Sequence, residues 1–143
     1  MNTVSLEQAL VITTGALQRA TELATAPLTV AVLDSAGKLV SLQRQDGSSL
    51  LRPDVAIAKA WGSIALGRSS RGLAEMAAAR PAFMSSVNVL AQGNIVPVPG
   101  GVLIRDAQHN LLGAVGISGD QSDVDENCAV AGIELAGLKA DCS

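Results

Sequence analysis

Apolar residues recur at helical spacing in two long stretches of the chain. The first stretch predicts a helix over residues 5–24, and Ser5 followed by Gln8 has the pattern of a capping box at its start. The second stretch predicts a helix over residues 52–67, with Pro53 in its first turn, where a proline is well tolerated. Both helices therefore carry a sequence signal for where they begin as well as for their apolar face.

Two other stretches predict pairs of strands. Residues 28–33 are an apolar strand pattern, residues 34–37 have the composition of a turn, and residues 38–44 predict the returning strand. Residues 101–118 repeat this arrangement, with the turn at 107–110. The chain is thus predicted to contain two β-hairpins.

Shorter helical patterns occupy the remaining chain. Residues 69–80 predict a third helix, with Ser70 as its cap and Pro81 as its terminator. Residues 82–92 indicate a short further helix, and residues 122–138 predict the last helix.

The order of these elements indicates the fold class. The clear helices and the two hairpins follow one another as α-ββ-α-α-ββ-α, which favours an α+β fold with helices packed on an antiparallel sheet. The length of 143 residues fits one domain, residues 1–143, and no shift in composition marks a linker.

The composition narrows the class of protein. A net charge of −3 with scattered Lys and Arg argues against nucleic-acid binding. The longest uncharged run, residues 81–104, contains three prolines and predicts no membrane helix, and the amino terminus lacks a secretory pattern.

Cys128 and Cys142 match no metal-binding spacing, so we expect free thiols in a cytoplasmic protein and no metal site. Since 48% of residues are apolar but only 1% aromatic, we expect part of the apolar surface to be buried in a homo-oligomer.

Lys59 is the sharpest chemical feature. It is the only charged residue between Val55 and Ala65, on a helix that is apolar nearly all round. A buried lysine without a partner has a lowered pKa, which suits acid–base or Schiff-base chemistry. The plain alternative is a lysine that extends to water or pairs structurally with an acid. We expect Asp125 or Glu126 to be its partner, with these groups facing a shared, partly dry hollow.

Four acids lie between residues 120 and 126, where the last helix is predicted to begin. Capping explains some of them: Ser122 can accept a hydrogen bond from the amide of Asp125, and Asp123 from that of Glu126. Capping does not require all four acids. A contribution of Asp125 or Glu126 to a ligand site is therefore the alternative interpretation.

Arginines and glycines supply further candidate binding groups. Arg44 and Arg52 flank the second strand and the second helix, and they can either clamp a carboxylate or a haem propionate or form surface or intersubunit ion pairs. The amides of Gly100 and Gly101 can hold a carboxylate or an oxyanion. His109, the only histidine, lies in a predicted turn and is expected to be exposed, which leaves no Ser–His–Asp set.

Four segments resemble a known family. They are LDSAGKLVSLQRQDG (33–47), DVAIAKAWGSIALG (54–67), VPGGVLIRD (98–106) and LLGAVGISGDQSDVDENCAVAGI (111–133). The last segment is the most specific. Together they resemble the haem-binding HbpS/GlcG-like family, which also forms the C-terminal part of some PduO-type corrinoid proteins.

The resemblance covers nearly the whole chain and implies a profilin-like antiparallel sheet flanked by helices, assembled into homo-oligomers. It implies haem, a corrinoid or a related metabolite as ligand, held where Lys59, Gly100, Gly101 and the Asp125–Glu126 pair gather at strand and helix ends. Haem ligands in the family vary and include a threonine or a histidine. This chain departs from the frequent Lys-Ala-x-Thr-Ala pattern after its lysine, and its histidine matches no such ligand.

Three hypotheses about function remain open. The first is a cytoplasmic, homo-oligomeric binding protein that holds the ligand in an apolar cleft. The second is a small catabolic enzyme, a lyase or isomerase acting on an organic acid or an aromatic metabolite, with Lys59 as acid–base and Asp125 or Glu126 as its partner. The third is an assembly protein without a ligand.

Overall fold

The computed structural model describes residues 2–143, which form helices and strands in the order α-ββ-α-α-α-ββ-α-β. The helices are α1 (Leu6–Leu23), α2 (Arg52–Leu66), α3 (Ser70–Ala79), α4 (Pro81–Leu90) and α5 (Ser122–Leu135). The strands are β1 (Thr29–Asp34), β2 (Leu39–Arg44), β3 (Gly101–Arg105), β4 (Leu111–Ser118) and β5 (Lys139–Asp141). The predicted α+β class is confirmed, and the short helical segment after α3 is the separate helix α4.

The strands form one antiparallel sheet in the order β2-β1-β4-β3-β5. Each predicted hairpin supplies two neighbouring strands, and the hairpins join side by side through β1 and β4. Strand β5 is absent from the prediction, because its three residues are too few to show an alternating pattern. This strand pairs with β3 at the edge of the sheet.

The two faces of the sheet are covered by different helices. On one face α1 and α5 enclose the larger core, in which Val30 and Val32 are buried with Ile12. On the other face α2 covers a smaller cluster, in which Ala60 packs with Leu33. Since side chains alternate between the faces along a strand, β1 contributes to both layers.

Two glycines let α2 lie close to the sheet. Gly101 of β3 and Gly116 of β4 are register partners. A Cβ on Gly116 would overlap the carbonyl of Ala56, and a Cβ on Gly101 would overlap the carbonyl of Lys59. Glycine is suited to strand positions where another backbone approaches this closely. This close approach of α2 to the sheet determines how deeply Lys59 is buried.

Trp61 of α2 joins two apolar clusters. Its half-buried ring packs on the cluster between α2 and the sheet, and also on a third cluster that contains Leu73 of α3 and Met84 of α4. On the hairpin side it lies beside Gly37, in the turn between β1 and β2. The ring therefore touches parts of the chain that are far apart in sequence.

The caps of two helices differ from the prediction. Ser69, not Ser70, caps α3, and its hydroxyl accepts a backbone amide of the first turn. Helix α5 begins after Gln121 without a side-chain cap, so the capping role predicted for Ser122 is wrong. The amide of Asp125 donates instead to the carbonyl of Gln121, and the acidic side chains are left for other contacts.

Three further predictions concern the cysteines, membrane-spanning helices and His109. Cys128 and Cys142 are free thiols. None of the helices among residues 2–143 combines the length and the apolarity that a membrane span requires. His109 is exposed in the turn between β3 and β4, as predicted, and has a left-handed backbone with φ of 70°.

Candidate functional site

Lys59 of α2 and Asp125 of α5 form an ion pair inside the protein. The distance from Nζ to Oδ2 is 3.2 Å, and the two side chains are 3% and 1% exposed. Since α2 and α5 cover opposite faces of the sheet, the pair connects the two layers beyond the end of β4. Of the two acids predicted as partners, the structure places Asp125 beside Lys59.

Both members of the pair have a second polar partner. Nζ of Lys59 also donates to the carbonyl of Ile117 at 2.9 Å, and Oδ1 of Asp125 accepts the amide of Asp120 at 3.0 Å. Gly100 closes the remaining side, where a Cβ would come 2.8 Å from Nζ. The predicted partly dry hollow beside Lys59 is therefore wrong, because the ammonium group faces protein atoms.

Burial controls the protonation of both groups. Loss of solvent lowers the pKa of Lys59, against the attraction of Asp125, and the charge of Arg52 lowers it further. Loss of solvent raises the pKa of Asp125, against the attraction of Lys59 and the hydrogen bond from the Asp120 amide. Both pKa shifts disfavour the charged forms. The ion pair therefore depends on the surrounding fold to keep the two groups together.

Glu126 points to a different neighbour. Its carboxylate accepts a hydrogen bond from Nε of Arg71 at 2.9 Å, and the Arg71 guanidinium also binds Asp123. The hydrogen bonds from Arg71 to these two carboxylates raise the pKa of Arg71, Glu126 having the larger effect. Asp125 and Glu126 are adjacent in sequence, but they serve separate ion pairs.

Arg71, Asp123 and Glu126 border a groove of about 750 Å³ between α1 and α5. The other arginine of this groove, Arg19, is already bound to Glu22 and Asn127. Because both arginines are held by acceptors of the chain itself, the groove offers little attraction to an acidic ligand.

The glycines at the start of β3 have their own partners. The amide of Gly101 donates to Oγ of Ser70 at 2.6 Å, and the carbonyl of Gly100 accepts the amide of Ile117 at 2.9 Å. In this arrangement the Gly101 amide is occupied and does not face a substrate oxyanion. Gly100 and Gly101 lie against Lys59, as the sequence analysis expected, but as packing partners.

A second polar cluster lies where α2 begins. Arg44 of β2, Thr29 of β1 and Ser118 of β4 are register partners on three neighbouring strands, so they share the face covered by α2. Arg52 donates to Oγ of Ser118 at 3.0 Å. Arg44 donates to the carbonyl of Ser48 at 3.4 Å, and the hydroxyls of Ser48 and Thr29 are hydrogen-bonded at 2.8 Å. We refer to these five residues as the arginine–hydroxyl cluster.

The arginine–hydroxyl cluster contains two guanidinium groups that are not bound to a carboxylate in the described part of the chain. Neither Arg44 nor Arg52 forms an ion pair within residues 2–143. Helix α2 has no side-chain cap, but Asp54 in its first turn offsets the positive end of the helix dipole. Leu50 and Leu51, just before Arg52, are 88% and 64% exposed. A groove of about 530 Å³, which Asp46 also lines, reaches the cluster at Arg44. Free guanidinium groups beside apolar surface suit an organic anion.

The two arginines are predictable from the sequence as binding groups, but the hydroxyl groups of this cluster are not among the predicted residues. Thr29 and Ser118 are 0% exposed, and each stands at the end of a strand whose other buried residues are apolar or glycine. A polar residue at such an inward position is a signal that could have indicated them. Ser48 lies in a turn and gives no comparable signal.

Comparisons with known proteins agree on the fold. The sequence model of a family described as haem-degrading HbpS-like proteins matches residues 4–134. No curated protein sequence is significantly similar to the chain.

Several solved structures are closely similar in shape. The crystal structure of a PduOC–haem complex superposes with a TM-score of 0.86 at 24% identity, covering 97% of this chain and 99% of that one. The ORFY protein of Klebsiella pneumoniae gives 0.85 at 22% identity, with 96% and 92% covered. The structure of HbpS gives 0.81 at 23% identity, with 94% and 91% covered. At these identities the likeness establishes the shared fold.

Proposed function

The chain belongs to the family of haem-degrading HbpS-like proteins, and from that membership we propose that it is a homo-oligomeric protein that binds an amphipathic organic acid. The ligand is haem, a corrinoid or a related metabolite that carries carboxylates on an apolar body. It binds at the arginine–hydroxyl cluster, at the start of α2.

The observation that carries this proposal is the pair of arginines without acidic partners. An arginine binds a carboxylate through two parallel hydrogen bonds, and Arg44 and Arg52 both have donors to spare. Leu50 and Leu51, which directly precede Arg52 in the chain, have exposed side chains that supply an apolar surface. Among the structural neighbours, the PduOC complex is one with haem, a ligand of this chemical type.

Haem as an iron complex fits this chain only in part. The propionates match the two arginines, but iron is held in proteins by His, Cys, Met or Tyr side chains. The cluster contains none of these, and no three acidic, thiol or imidazole groups among residues 2–143 come together as a metal site. We therefore assign these residues to holding the acid groups and derive no chemistry at the iron.

Haemin titration tests the assignment of the arginines. We expect saturable binding at micromolar protein, and the Arg44→Gln and Arg52→Gln variants should each bind about tenfold more weakly, since a charge-assisted hydrogen bond contributes about 1.5–3 kcal/mol. The matched control is Arg80→Gln, because Arg80 is exposed and stacks over Phe83 at the start of α4. Absence of saturable binding to the wild type would contradict the proposed function, and unchanged binding by both Gln variants would contradict the site.

Assembly into a homo-oligomer is the second part of the proposal, and α4 is the expected contact. Met84 is the only buried residue of α4, while Val89 and Leu90 are 77% and 85% exposed. Residues 81–104 carry no charge, so two copies of this surface can meet without repulsion. A cytoplasmic location stays a prediction as well, supported by the two free thiols.

A charge placed on α4 should separate the subunits. We expect Leu90→Lys to reduce the native mass measured by light scattering, because an ammonium group would be buried in the contact. Leu23→Lys on α1 is the control, since Leu23 is 40% exposed and lies on the other helical layer. A wild-type monomer, or a Leu90→Lys variant of unchanged mass, would exclude α4 as the contact.

The catalytic alternative is favoured by one observation, the opposed pKa shifts of Lys59 and Asp125. In a lyase or isomerase, Lys59 would act as the acid–base group, with Asp125 as its partner. Glu126 would contribute only indirectly, because its carboxylate binds Arg71. A substrate could reach Nζ only if the enclosed pair opened. If a folded Lys59→Met/Asp125→Leu variant still converted the substrate, this alternative would be contradicted.

A further inference from the structure

The side chains that normally bind haem iron all lie away from the arginine–hydroxyl cluster. The chain has one histidine and no tyrosine. His109 lies just before the first residue of β4, whereas Ser118 is its last residue. At the rise of an extended strand this places them about 23 Å apart, at opposite ends of the sheet.

The sulfur side chains are equally remote. Met84 is buried in the cluster that Trp61 and Leu66 border, near the other end of α2, and Met76 packs against the same cluster. Cys128 is 0% exposed in the core between α1, α5 and the sheet, with Cys142 packed against it. The cluster does contain a threonine, a residue type that can bind haem iron in the resembling family, but Thr29 is 0% exposed and its hydroxyl is hydrogen-bonded to that of Ser48 at 2.8 Å. Among residues 2–143, therefore, the protomer presents no accessible iron ligand at the place where it carries unpaired arginines.

The arginines, in contrast, are arranged for two acid groups. Arg44 and the Ser118 partner of Arg52 are on β2 and β4, which flank β1. Their backbones are therefore about 10 Å apart, two strand spacings. Arg52 donates to the hydroxyl of Ser118 and Arg44 to the carbonyl of Ser48. Each guanidinium has further donors, so a molecule with two carboxylates on one edge can engage both.

We infer that the site recognises a flat dicarboxylate by its acidic edge and makes no bond to a metal at the ring centre. This inference rests on the proposed function and specifies its ligand class. The ring lies over Leu50 and Leu51, and the propionates of a porphyrin are held by Arg44 and Arg52. Iron-free porphyrin is accordingly as good a ligand as haemin.

The test compares haemin, iron-free protoporphyrin IX and protoporphyrin IX dimethyl ester on the whole protein. The two acids should bind with dissociation constants within about threefold of each other, and the ester should bind at least tenfold more weakly, since it cannot accept charge-assisted hydrogen bonds. The Arg44→Gln/Arg52→Gln variant should weaken both acids equally and leave the ester unchanged. Circular dichroism checks that this variant is folded.

The outcomes separate the inference from the proposed function. Haemin binding more than tenfold tighter than iron-free porphyrin, with a low-spin spectrum, would show an axial ligand and overturn the inference, while the proposed binding function would stand. Loss of that spectrum in His109→Ala would identify the ligand. Equal binding of the ester and the acids would overturn recognition through the acidic edge. If neither haemin nor porphyrin binds saturably, both the inference and the proposed function fail.

Discussion

Replacing Asp125 by alanine should lower the free energy of unfolding by about 3–5 kcal/mol, because the Lys59 ammonium would remain enclosed without its counter-charge. The amide of Asp120 would lose its acceptor at the same time. Urea denaturation at neutral pH measures the change. Asp123→Ala is the matched control, since Asp123 lies in the same turn but is 80% exposed. An exposed pair of this kind contributes at most about 1 kcal/mol.

Removing both charges should restore most of the stability. A buried ion pair replaced by apolar side chains of similar size is often neutral or stabilising, so Lys59→Met/Asp125→Leu should unfold close to the wild type. If Asp125→Ala costs no more than Asp123→Ala, the ammonium is not enclosed. If the double variant is as unstable as the single one, the loss comes from packing rather than from charge.

The pair also predicts how stability varies with pH. Burial raises the pKa of Asp125, so its contribution to stability falls as the pH rises from the ordinary aspartate range through the raised value. Burial lowers the pKa of Lys59, so its contribution grows as the pH rises from the lowered value to the ordinary lysine range. The stability of the wild type relative to the double variant should therefore pass through a minimum between these two ranges.

Gly116→Ala should cost about 3 kcal/mol, the upper part of the range for inserting a methyl group into a packed interior. The added Cβ would overlap the carbonyl of Ala56. Since the clash is with backbone, α2 as a whole has to move away from the sheet. Thermal or urea unfolding measures the cost, and haemin affinity should fall too, because Arg52 moves with α2.

Gly93→Ala separates this effect from backbone conformation. Gly93 has φ of 78° but no atom near its absent side chain, whereas Gly116 has no positive φ. The Gly93 variant should lose about 1 kcal/mol through strain alone. A Gly116→Ala protein that is more stable than Gly93→Ala would show that the distance between α2 and the sheet is not set by this glycine.

The fold could be predicted from the sequence because its local signals agree with one another. The capping box at Ser5 and Gln8 begins α1, and both hairpins have apolar strands on either side of turn residues. Strand β5 could not be predicted, since it depends on pairing with β3 rather than on its own three residues. Helix α5 begins at Ser122, as the sequence predicts. A serine before acids also matches a cap, but in the structure Ser122 does not cap the helix, and tertiary contacts engage the acids.

The candidate site was predictable only in its residue types. Lys59 stands out in an apolar helix, and its acidic partner was narrowed to two adjacent residues. Choosing between Asp125 and Glu126 requires the rotation of α5 against α2, which no local pattern encodes. The enclosure of the pair depends on Gly100, Gly101 and the carbonyl of Ile117, which the fold alone brings together. Similarly, the hydroxyl row beside Arg44 and Arg52 follows from strand register.

The position of Trp61 gives the protein a built-in optical reporter. It is the only tryptophan, and no tyrosine contributes to ultraviolet emission. Its indole touches the sheet cluster, the α3–α4 cluster and the first hairpin turn. Its fluorescence spectrum should therefore change when any of these contacts loosens. A porphyrin bound near the same helix would also quench this emission by energy transfer, so occupancy and unfolding can both be followed without an added label.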